Sequence, residues 1–268
     1  MTDCWPRLRL RADRVEKHRG VFLKNDQEIA ILREANRIAG TILDELGSKV
    51  APGVTTWELE ERAIQLCTQF NVIPAFKGYL DFPYALCCSV NEEIVHGFPS
   101  HRTLLDGDIL SIDFGVKFQG FYGDTARTFP VGNISEGAAH LLDVTLQSLF
   151  KGIEQAVPGN DLYDISRAVQ DCVETQGFSV IKRFVGHGIG RMLHEKPEVP
   201  NFVPRNCSRL PLKPGMVIAI EPMVAMGSDQ VEILSDGWTA VTKDRSLSAH
   251  FEHSVAITKD GPFILSQV

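Results

Sequence analysis

The chain contains one structural pattern twice, at a nearly constant spacing. Each copy has two amphipathic helical segments separated by a Pro-Gly turn, at residues 52–53 and 158–159. Each then continues through a glycine-containing turn into an apolar strand that ends on an acid. In the first copy the glycine is Gly107 and the acid Asp113; the second copy ends on Glu221, 108 positions later. Because such self-similarity marks duplicated supersecondary units, we expect one α/β body with two pseudo-symmetric helix–helix–strand halves.

The helical segments carry start and stop signals that place their ends. Asn25 and Glu28 form a capping box before the first apolar stripe, and Gly47 ends that stripe. The two copies join near residues 130–135 without a low-complexity linker. The sequence predicts helices over residues 25–47, from 55 or 56 to about 70, over 141–156, and from about 161 to 175.

Composition excludes several classes of protein. With 44% hydrophobic and 23% charged residues, the chain resembles a packed globular domain rather than a disordered one. No apolar run approaches the roughly 18 residues of a membrane span, and the N-terminus lacks the apolar stretch of a signal peptide. The net charge of −7 argues against general binding of DNA or other nucleic acid. Six cysteines without a CxxC pattern favour the reduced cytoplasm.

Four acidic residues end or interrupt apolar, strand-like segments. Asp113 and Asp124 flank a predicted hairpin, and closure near residues 118–119 would place their carboxylates directly opposite one another. Glu221 ends a second apolar run, and Glu252 interrupts a third. Because unpaired carboxylates are costly to bury, four of them at strand ends predict a shared cationic partner. Two divalent cations can share bridging carboxylates of this kind.

Histidines extend this candidate metal site. His187 lies between glycines that allow close backbone approach around its ring. A mixed carboxylate and imidazole set favours Fe(II), Mn(II), Co(II) or Zn(II) over calcium. His96 and His194 are candidates for the chemistry, although either could instead donate one structural hydrogen bond. No supporting pattern surrounds the other histidines, and we assign no catalytic part to His18, His101, His140, His250 or His253.

These segments closely resemble the type 1 methionine aminopeptidases, which have the pita-bread metallopeptidase fold. The resemblance runs from about residue 24 to the C-terminus, in the expected order and spacing. It implies an α/β (α+β) fold with two pseudo-symmetric halves around a central antiparallel sheet. It divides the chain into a basic N-terminal extension, residues 1–23, and a catalytic domain, residues 24–268. The matching segments are residues 91–97, 111–124, 186–194, 221–222 and 246–253.

The resemblance also implies a ligand set for two divalent metal cations. By this carry-over, Asp124 and Glu252 bridge the two ions. Asp113 completes the coordination of the first ion, and His187 and Glu221 complete the coordination of the second.

Roles in peptide hydrolysis follow from the same resemblance. Glu221 would accept a proton from the attacking water and pass it to the leaving amine. His194 would donate to the developing oxyanion, and His96 would lie near the scissile nitrogen. Leu193 replaces a phenylalanine common in the family, so the slot for methionine is expected to be slightly wider there. The resemblance assigns this slot to Phe76, Tyr79, Phe82, Cys87, Leu193 and Trp238.

The implied activity is removal of the initiator methionine from nascent polypeptides whose second residue is small, by a cytoplasmic monomer. One alternative is another pita-bread peptidase, related to prolidase or aminopeptidase P, although the chain lacks room for their large N-terminal domain. A second alternative is a catalytically inactive pita-bread binding protein. Such proteins normally lose metal ligands, whereas all five are present here.

The N-terminus differs in charge from the rest of the chain. Residues 1–25 carry a net charge of +4, which leaves −11 for the remainder. Such a segment could steer the enzyme toward ribosomal RNA near the exit of the nascent chain. The alternative is a solvated segment, or one that packs against the acidic body. The basic residues concerned are Arg7, Arg9, Arg11, Arg14, Lys17, Arg19 and Lys24.

Overall fold

The computed structural model describes residues 16–206 and 208–268, which form four α-helices and seventeen β-strands. None of these helices is both long and apolar enough to cross a membrane. A single 3₁₀ turn covers Tyr79–Asp81. The helices are α1 (Asp26–Gly47), α2 (Thr56–Phe70), α3 (Glu136–Glu154) and α4 (Leu162–Glu174). The strands are β1 (Glu16–His18), β2 (Val21–Leu23), β3 (Ile73–Pro74), β4 (Leu86–Val90), β5 (Glu93–Val95), β6 (Ile109–Phe118), β7 (Phe121–Pro130), β8 (Ser179–Val180), β9 (Gly186–Gly188), β10 (Glu195–Val199), β11 (Val217–Ile220), β12 (Met223–Ala225), β13 (Val231–Ile233), β14 (Ala240–Thr242), β15 (Ser248–His250), β16 (Glu252–Thr258) and β17 (Gly261–Ile264).

Three of the four predicted helices, α1, α2 and α4, are confirmed to within a residue or two. The remaining helix, α3, begins earlier than expected. A capping box of Asn25 and Glu28 opens α1, as the sequence predicts. Helix α3 starts at Glu136 rather than at residue 141, because the Ser135 side chain accepts a hydrogen bond from the Ala138 amide. The apolar periodicity alone does not reveal this first turn, because its buried residue is the small Ala138.

The duplication predicted from the sequence recurs in the backbone of the two halves. Gly53 and Gly159 both have a left-handed backbone, with φ of 94° and 95°. The Gly53 amide donates to the Leu104 carbonyl at 2.9 Å, and the Gly159 amide donates to the Leu212 carbonyl at 3.1 Å. Equivalent turns therefore bond to equivalent segments that precede β6 and β11, which supports an origin of both halves from one unit.

Strands from both halves form one nine-stranded antiparallel sheet. Its order is β10-β9-β11-β16-β7-β6-β3, with β17 also paired to β16 and β4 also paired to β6. The halves meet where β16 pairs with β7, through Glu252 opposite Ala126 and His253 opposite Thr125. This arrangement confirms the predicted central antiparallel sheet.

Each half has its own apolar core between its helix pair and the sheet. In the first half Ile42 and Leu59 of the helices pack with Ile112 of β6. In the second half Leu149 and Ile165 pack in a cluster with β11 and β16. Because successive side chains of a strand point to opposite faces, the sheet face opposite the helices is free to carry polar groups.

The hairpin that carries the first two acids has a different register from the one predicted. The two-residue turn is Gln119 and Gly120, with φ of 48° and 85°, the double positive φ of a type I′ hairpin turn. Asp113 consequently pairs with Ala126, and Asp124 lies two positions away from this partner. The two acids are diagonal neighbours on one face of the sheet rather than direct partners. The turn lies one residue later than predicted because Gly120, in its second position, adopts a positive φ without strain.

The described part of the N-terminal extension is a short hairpin. Strands β1 and β2 pair in antiparallel fashion, and Val21 is fully buried. Lys24, one of the basic residues of the N-terminal segment, is buried against Glu195, so for this residue the alternative of packing against the acidic body holds. The predicted basic residues Arg7, Arg9, Arg11 and Arg14 lie outside the described residues.

Candidate metal centre

The five predicted metal ligands come from five neighbouring strands of the large sheet. His187 lies on β9, Glu221 follows β11, and Glu252 begins β16. Asp124 lies on β7 and Asp113 on β6. Because these strands are consecutive in the sheet order, the two halves contribute their acids to one place. The structure thus brings all five predicted ligands to the floor of one cleft.

The donor atoms lie close enough to share a cation. Asp124, His187 and Glu252 offer ligand atoms that all lie within 4.8 Å of one another. The Nε2 atom of His187 is 3.8 Å from Oδ2 of Asp124 and 3.6 Å from Oε1 of Glu221. Among the described residues, no hydrogen-bond partner exists for the buried Oδ1 atoms of Asp113 and Asp124 or for Oε1 of Glu252. Buried oxygens without donors are costly, so this donor set fits divalent cations.

The protonation behaviour of the acids supports the same conclusion. Burial raises the pKa of Asp113 to about 7. Burial, with repulsion from neighbouring carboxylates, raises the pKa values of Asp124, Glu221 and Glu252 well above their usual range. A bound cation reverses this preference, because it stabilises the ionised carboxylates that ligate it.

His187 is held in the tautomer that a metal ligand requires. Its Nδ1 lies 2.9 Å from the carbonyl oxygen of Gly188, which can only accept, so Nδ1 carries the proton. The Nε2 lone pair then points toward the carboxylates. Burial also lowers the pKa of His187 to about 3, which keeps the ring neutral. An imidazole anchored to a backbone carbonyl is a common arrangement for a histidine ligand.

A buried asparagine, which sequence reasoning missed, orients the backbone at Asp124. Asn36 of α1 accepts a hydrogen bond from the Asp124 amide at 3.1 Å and donates to the Leu32 carbonyl at 2.9 Å. The adjacent Gly123 lets the helix approach, because a Cβ atom there would lie 2.6 Å from the backbone of Ala35. The available signal was one amide residue on the otherwise apolar face of α1.

His194 and His96 both reach the same cleft. The Nδ1 atom of His194 is 2.8 Å from the Tyr79 hydroxyl, and its ring packs edge-on against His187 with centroids 4.3 Å apart. The ring of His96 lies 6.1 Å from that of Trp238. The structure therefore brings both histidines beside the ligand set, while their catalytic roles stay predictions.

The residues predicted to bind methionine line one end of this cleft, whose volume is 1240 Å³. Phe82 and Trp238 contact each other edge-on, with centroids 5.1 Å apart. Cys87 pairs with Asp113 across β4 and β6, so the apolar end of the cleft adjoins the ligands. Their role in recognising methionine stays a prediction. The six residues are Phe76, Tyr79, Phe82, Cys87, Leu193 and Trp238.

His250 is a second residue that sequence reasoning missed. The ring is 1% exposed, and its Nε2 atom lies 3.7 Å from Oε2 of Glu221. Burial lowers the pKa of His250 to about 3, which places a neutral imidazole beside this acid. No motif in the sequence marks His250, since its proximity to Glu221 arises from the pairing of β12 with β15.

Known proteins share both the sequence pattern and the fold. The pattern of metallopeptidase family M24 matches residues 30–259. The methionine aminopeptidase of Clostridium perfringens is 53% identical over 249 residues, which cover 92% of this chain and 99% of that protein. A crystal structure of methionine aminopeptidase from Thermotoga maritima has a TM-score of 0.90 at 43% identity, covering 92% of this chain and all of that one. A prolidase from Pyrococcus furiosus is only 22% identical, with a TM-score of 0.74 over 92% of this chain and 65% of its own, and shares the fold alone.

Proposed function

The chain belongs to metallopeptidase family M24, and from this membership we propose that it is a methionine aminopeptidase. It hydrolyses the first peptide bond of nascent proteins and releases the initiator methionine when the second residue is small. The observation that carries this proposal is the juxtaposition of a buried, unsatisfied ligand set with an aromatic slot in one cleft. The identity of 53% to a relative of that name supports the substrate.

We propose that two divalent cations bind here, with Fe(II), Mn(II), Co(II) and Zn(II) as candidates. Asp113, Asp124, His187, Glu221 and Glu252 would hold them. The unsatisfied oxygens and the Nε2 lone pair of His187 support this assignment. When bound, such cations supply Lewis acidity, which activates water near neutral pH and polarises the scissile carbonyl.

The side chains around the ligands have separate tasks in this proposal. The hydroxyl of Tyr79 lies 2.8 Å from Nδ1 of His194 and would donate to it, which would leave the proton on Nε2 for donation to the substrate carbonyl oxygen. The carboxylate of Glu221 accepts a proton from the attacking water and transfers it to the leaving nitrogen. His96, which also lines the cleft, would contact the leaving group. The apolar end holds the unbranched methionine side chain.

The experiment that tests this function compares two peptide classes. Purified protein is reconstituted with Mn(II) or Co(II), and release of the first residue is measured for Met-Ala-Ser and for Ala-Pro-Ser. We expect methionine from the first peptide and no alanine from the second. Cleavage of the Ala-Pro bond alone would identify a proline-specific peptidase. Binding of Met-Ala-Ser without turnover in metal-loaded protein would indicate an inactive binding protein.

We also propose that the enzyme acts in the cytoplasm and meets its substrate at the ribosome. The support is the basic charge of residues 1–25, of which Lys17 and Arg19 are exposed on the β1–β2 hairpin. The test is co-sedimentation with ribosomes at low and high salt, comparing the full chain with one lacking residues 1–15. This deletion leaves the hairpin intact. The full chain should sediment more at low salt, and equal sedimentation of both chains would remove a ribosomal role for residues 1–15.

A further inference from the structure

We propose that Lys24 and Glu195 form a positioning unit for His194. This inference rests on the proposed function, because a role of His194 in acting on the substrate is part of that proposal. Lys24 is absent from the lining of the cleft, and Glu195 directly follows His194. Glu195 itself lines the cleft, so Lys24 is the member of the pair that would affect the reaction only through the placement of this imidazole.

The ion pair is short and excluded from solvent. The Nζ atom of Lys24 lies 2.6 Å from Oε2 of Glu195, and the two side chains are 4% and 2% exposed. Nζ also donates to the Phe22 carbonyl at 3.2 Å. Burial lowers the pKa of Lys24, and attraction to Glu195 opposes that change. Because a buried charge without its partner is strongly unfavourable, each side chain confines the other to one geometry.

The second carboxylate oxygen holds the turn that leads into His194. Oε1 of Glu195 accepts hydrogen bonds from the amide of Arg191 at 2.8 Å and from the amide of Met192 at 3.2 Å. One carboxylate thus connects Lys24 to the backbone on the N-terminal side of the histidine. Charge-assisted hydrogen bonds of this kind are stronger than neutral ones, so they restrict the turn.

The turn closes tightly on the ion pair at Gly190. A Cβ atom at this position would lie 2.6 Å from Oε1 of Glu195 and 2.6 Å from Cε of Lys24. The carbonyl of Gly190 accepts a hydrogen bond from the Tyr122 amide at 2.9 Å, which ties the turn to β7. At Gly190 the turn is therefore packed directly against the ion pair, whereas Arg191 and Met192 face solvent.

Lys24 is itself anchored to the strand that leads to a predicted metal ligand. Its amide donates to the Gly215 carbonyl at 2.7 Å, in the turn before β11 and Glu221. On the other side of the cleft, the Tyr79 hydroxyl holds Nδ1 of His194. The imidazole is therefore oriented from both directions, by Tyr79 at the ring and by the ion pair at the backbone.

The test is a double-mutant cycle between Lys24→Met and His194→Ala, with Mn(II)-loaded protein and Met-Ala-Ser. Methionine keeps the aliphatic stem of Lys24 and removes its charge. We expect Lys24→Met to lower kcat about 10- to 100-fold with KM nearly unchanged, because small misplacement of a catalytic group has effects of this size. In the His194→Ala background the same change should have no additional effect on kcat. Manganese content should stay at the wild-type value in all variants.

Two further variants complete the design. The double variant Lys24→Met/Glu195→Gln should recover most of the lost kcat, because glutamine retains the acceptor oxygen without an unpaired charge. Lys182→Met removes an exposed ion pair with Asp229, 2.8 Å long, and should leave kcat unchanged. Glu195→Gln alone replaces Lys24→Met in the cycle if the latter does not fold, with the same expected coupling to His194.

Hydrogen–deuterium exchange gives a measurement that does not depend on activity. Lys24→Met should increase exchange in residues 190–195, whereas Lys182→Met should not. Equal losses of kcat in the wild-type and His194→Ala backgrounds would overturn the positioning role, and so would loss of manganese or unchanged exchange. If wild-type protein releases no methionine, the proposed function fails, while the exchange result still decides whether the ion pair orders the turn.

Discussion

In protein freed of divalent cations, ionisation of the buried carboxylates of the candidate metal site should lower the free energy of unfolding as the pH rises above about 6.5. Burial raises the pKa of Asp113 to about 7 and the pKa values of three neighbouring carboxylates above their usual range. In the unfolded chain these groups titrate near pH 4. A group with a raised folded-state pKa stabilises the fold fully below its unfolded pKa. That contribution is lost as the pH rises through the folded pKa.

The size of this effect follows from the pKa of Asp113. Between about pH 6.5 and pH 8, this group alone should lower the free energy of unfolding by about 1 kcal/mol. The other three carboxylates act in the same direction. Five histidines act in the opposite direction, because their lowered pKa values stabilise the fold above about pH 6.5 and that stability is lost as the pH falls. In the unfolded chain these histidines still lose protons just above pH 6.5, so the contribution of Asp113 is measured as the difference between the wild type and Asp113→Asn, in which the histidine contributions cancel. The five are His96, His187, His194, His250 and His253.

The assay is urea unfolding of chelator-treated protein at several pH values in this window, with and without added Mn(II). Asp113→Asn should remove the loss of about 1 kcal/mol that Asp113 contributes over this window, whereas Asp260→Asn, at an exposed turn, should leave the pH dependence unchanged. Mn(II) should stabilise the wild type most at the upper end of the window. The same pH dependence in metal-free wild type and metal-free Asp113→Asn would refute the electrostatic reasoning.

Three more perturbations have expected outcomes. Asp124→Asn should reduce manganese content, measured by elemental analysis, far more than His96→Ala; equal losses would mean that the ligand assignment is wrong. Asn36→Ala leaves the Asp124 amide without its partner and should lower the free energy of unfolding by about 1–3 kcal/mol in urea titrations, and no change would remove this role. Trp238→Ala opens the wall of the slot and should raise KM for Met-Ala-Ser, whereas wild-type protein should not cleave Met-Lys-Ser; a normal KM or rapid Met-Lys cleavage would contradict the proposed slot.

The five candidate ligands could be named from the sequence because their signals are local. Each acid ends or interrupts an apolar strand, and a buried charge in such a segment requires a partner whatever the fold. The duplication was equally visible, since the glycine turns before β6 and β11 need a positive φ at matching positions, 98° at Gly107 and 93° at Gly215. These features depend on a few neighbouring residues.

The features of the site that the sequence did not reveal depend on contacts between segments that are distant in the sequence. Lys24 is buried only because Glu195, 171 positions later, packs against it. His250 approaches Glu221 through strand pairing, and Asn36 reaches Asp124 through helix packing on the hairpin. A basic residue near the N-terminus and a histidine without a motif give no indication of such partners. The diagonal placement of Asp113 was missed for a local reason, the turn chemistry of Gly120.

The most direct test of the central claim is stepwise metal reconstitution. Protein is exhaustively demetallated, and methionine release from Met-Ala-Ser is measured together with bound metal as Mn(II) is added. The metal-free protein should be inactive, and activity should increase with occupancy and reach its maximum by two cations per chain. Glu252→Gln should bind less metal and stay inactive through the same titration. Full activity in the demetallated wild-type protein would contradict the proposed metal-dependent aminopeptidase.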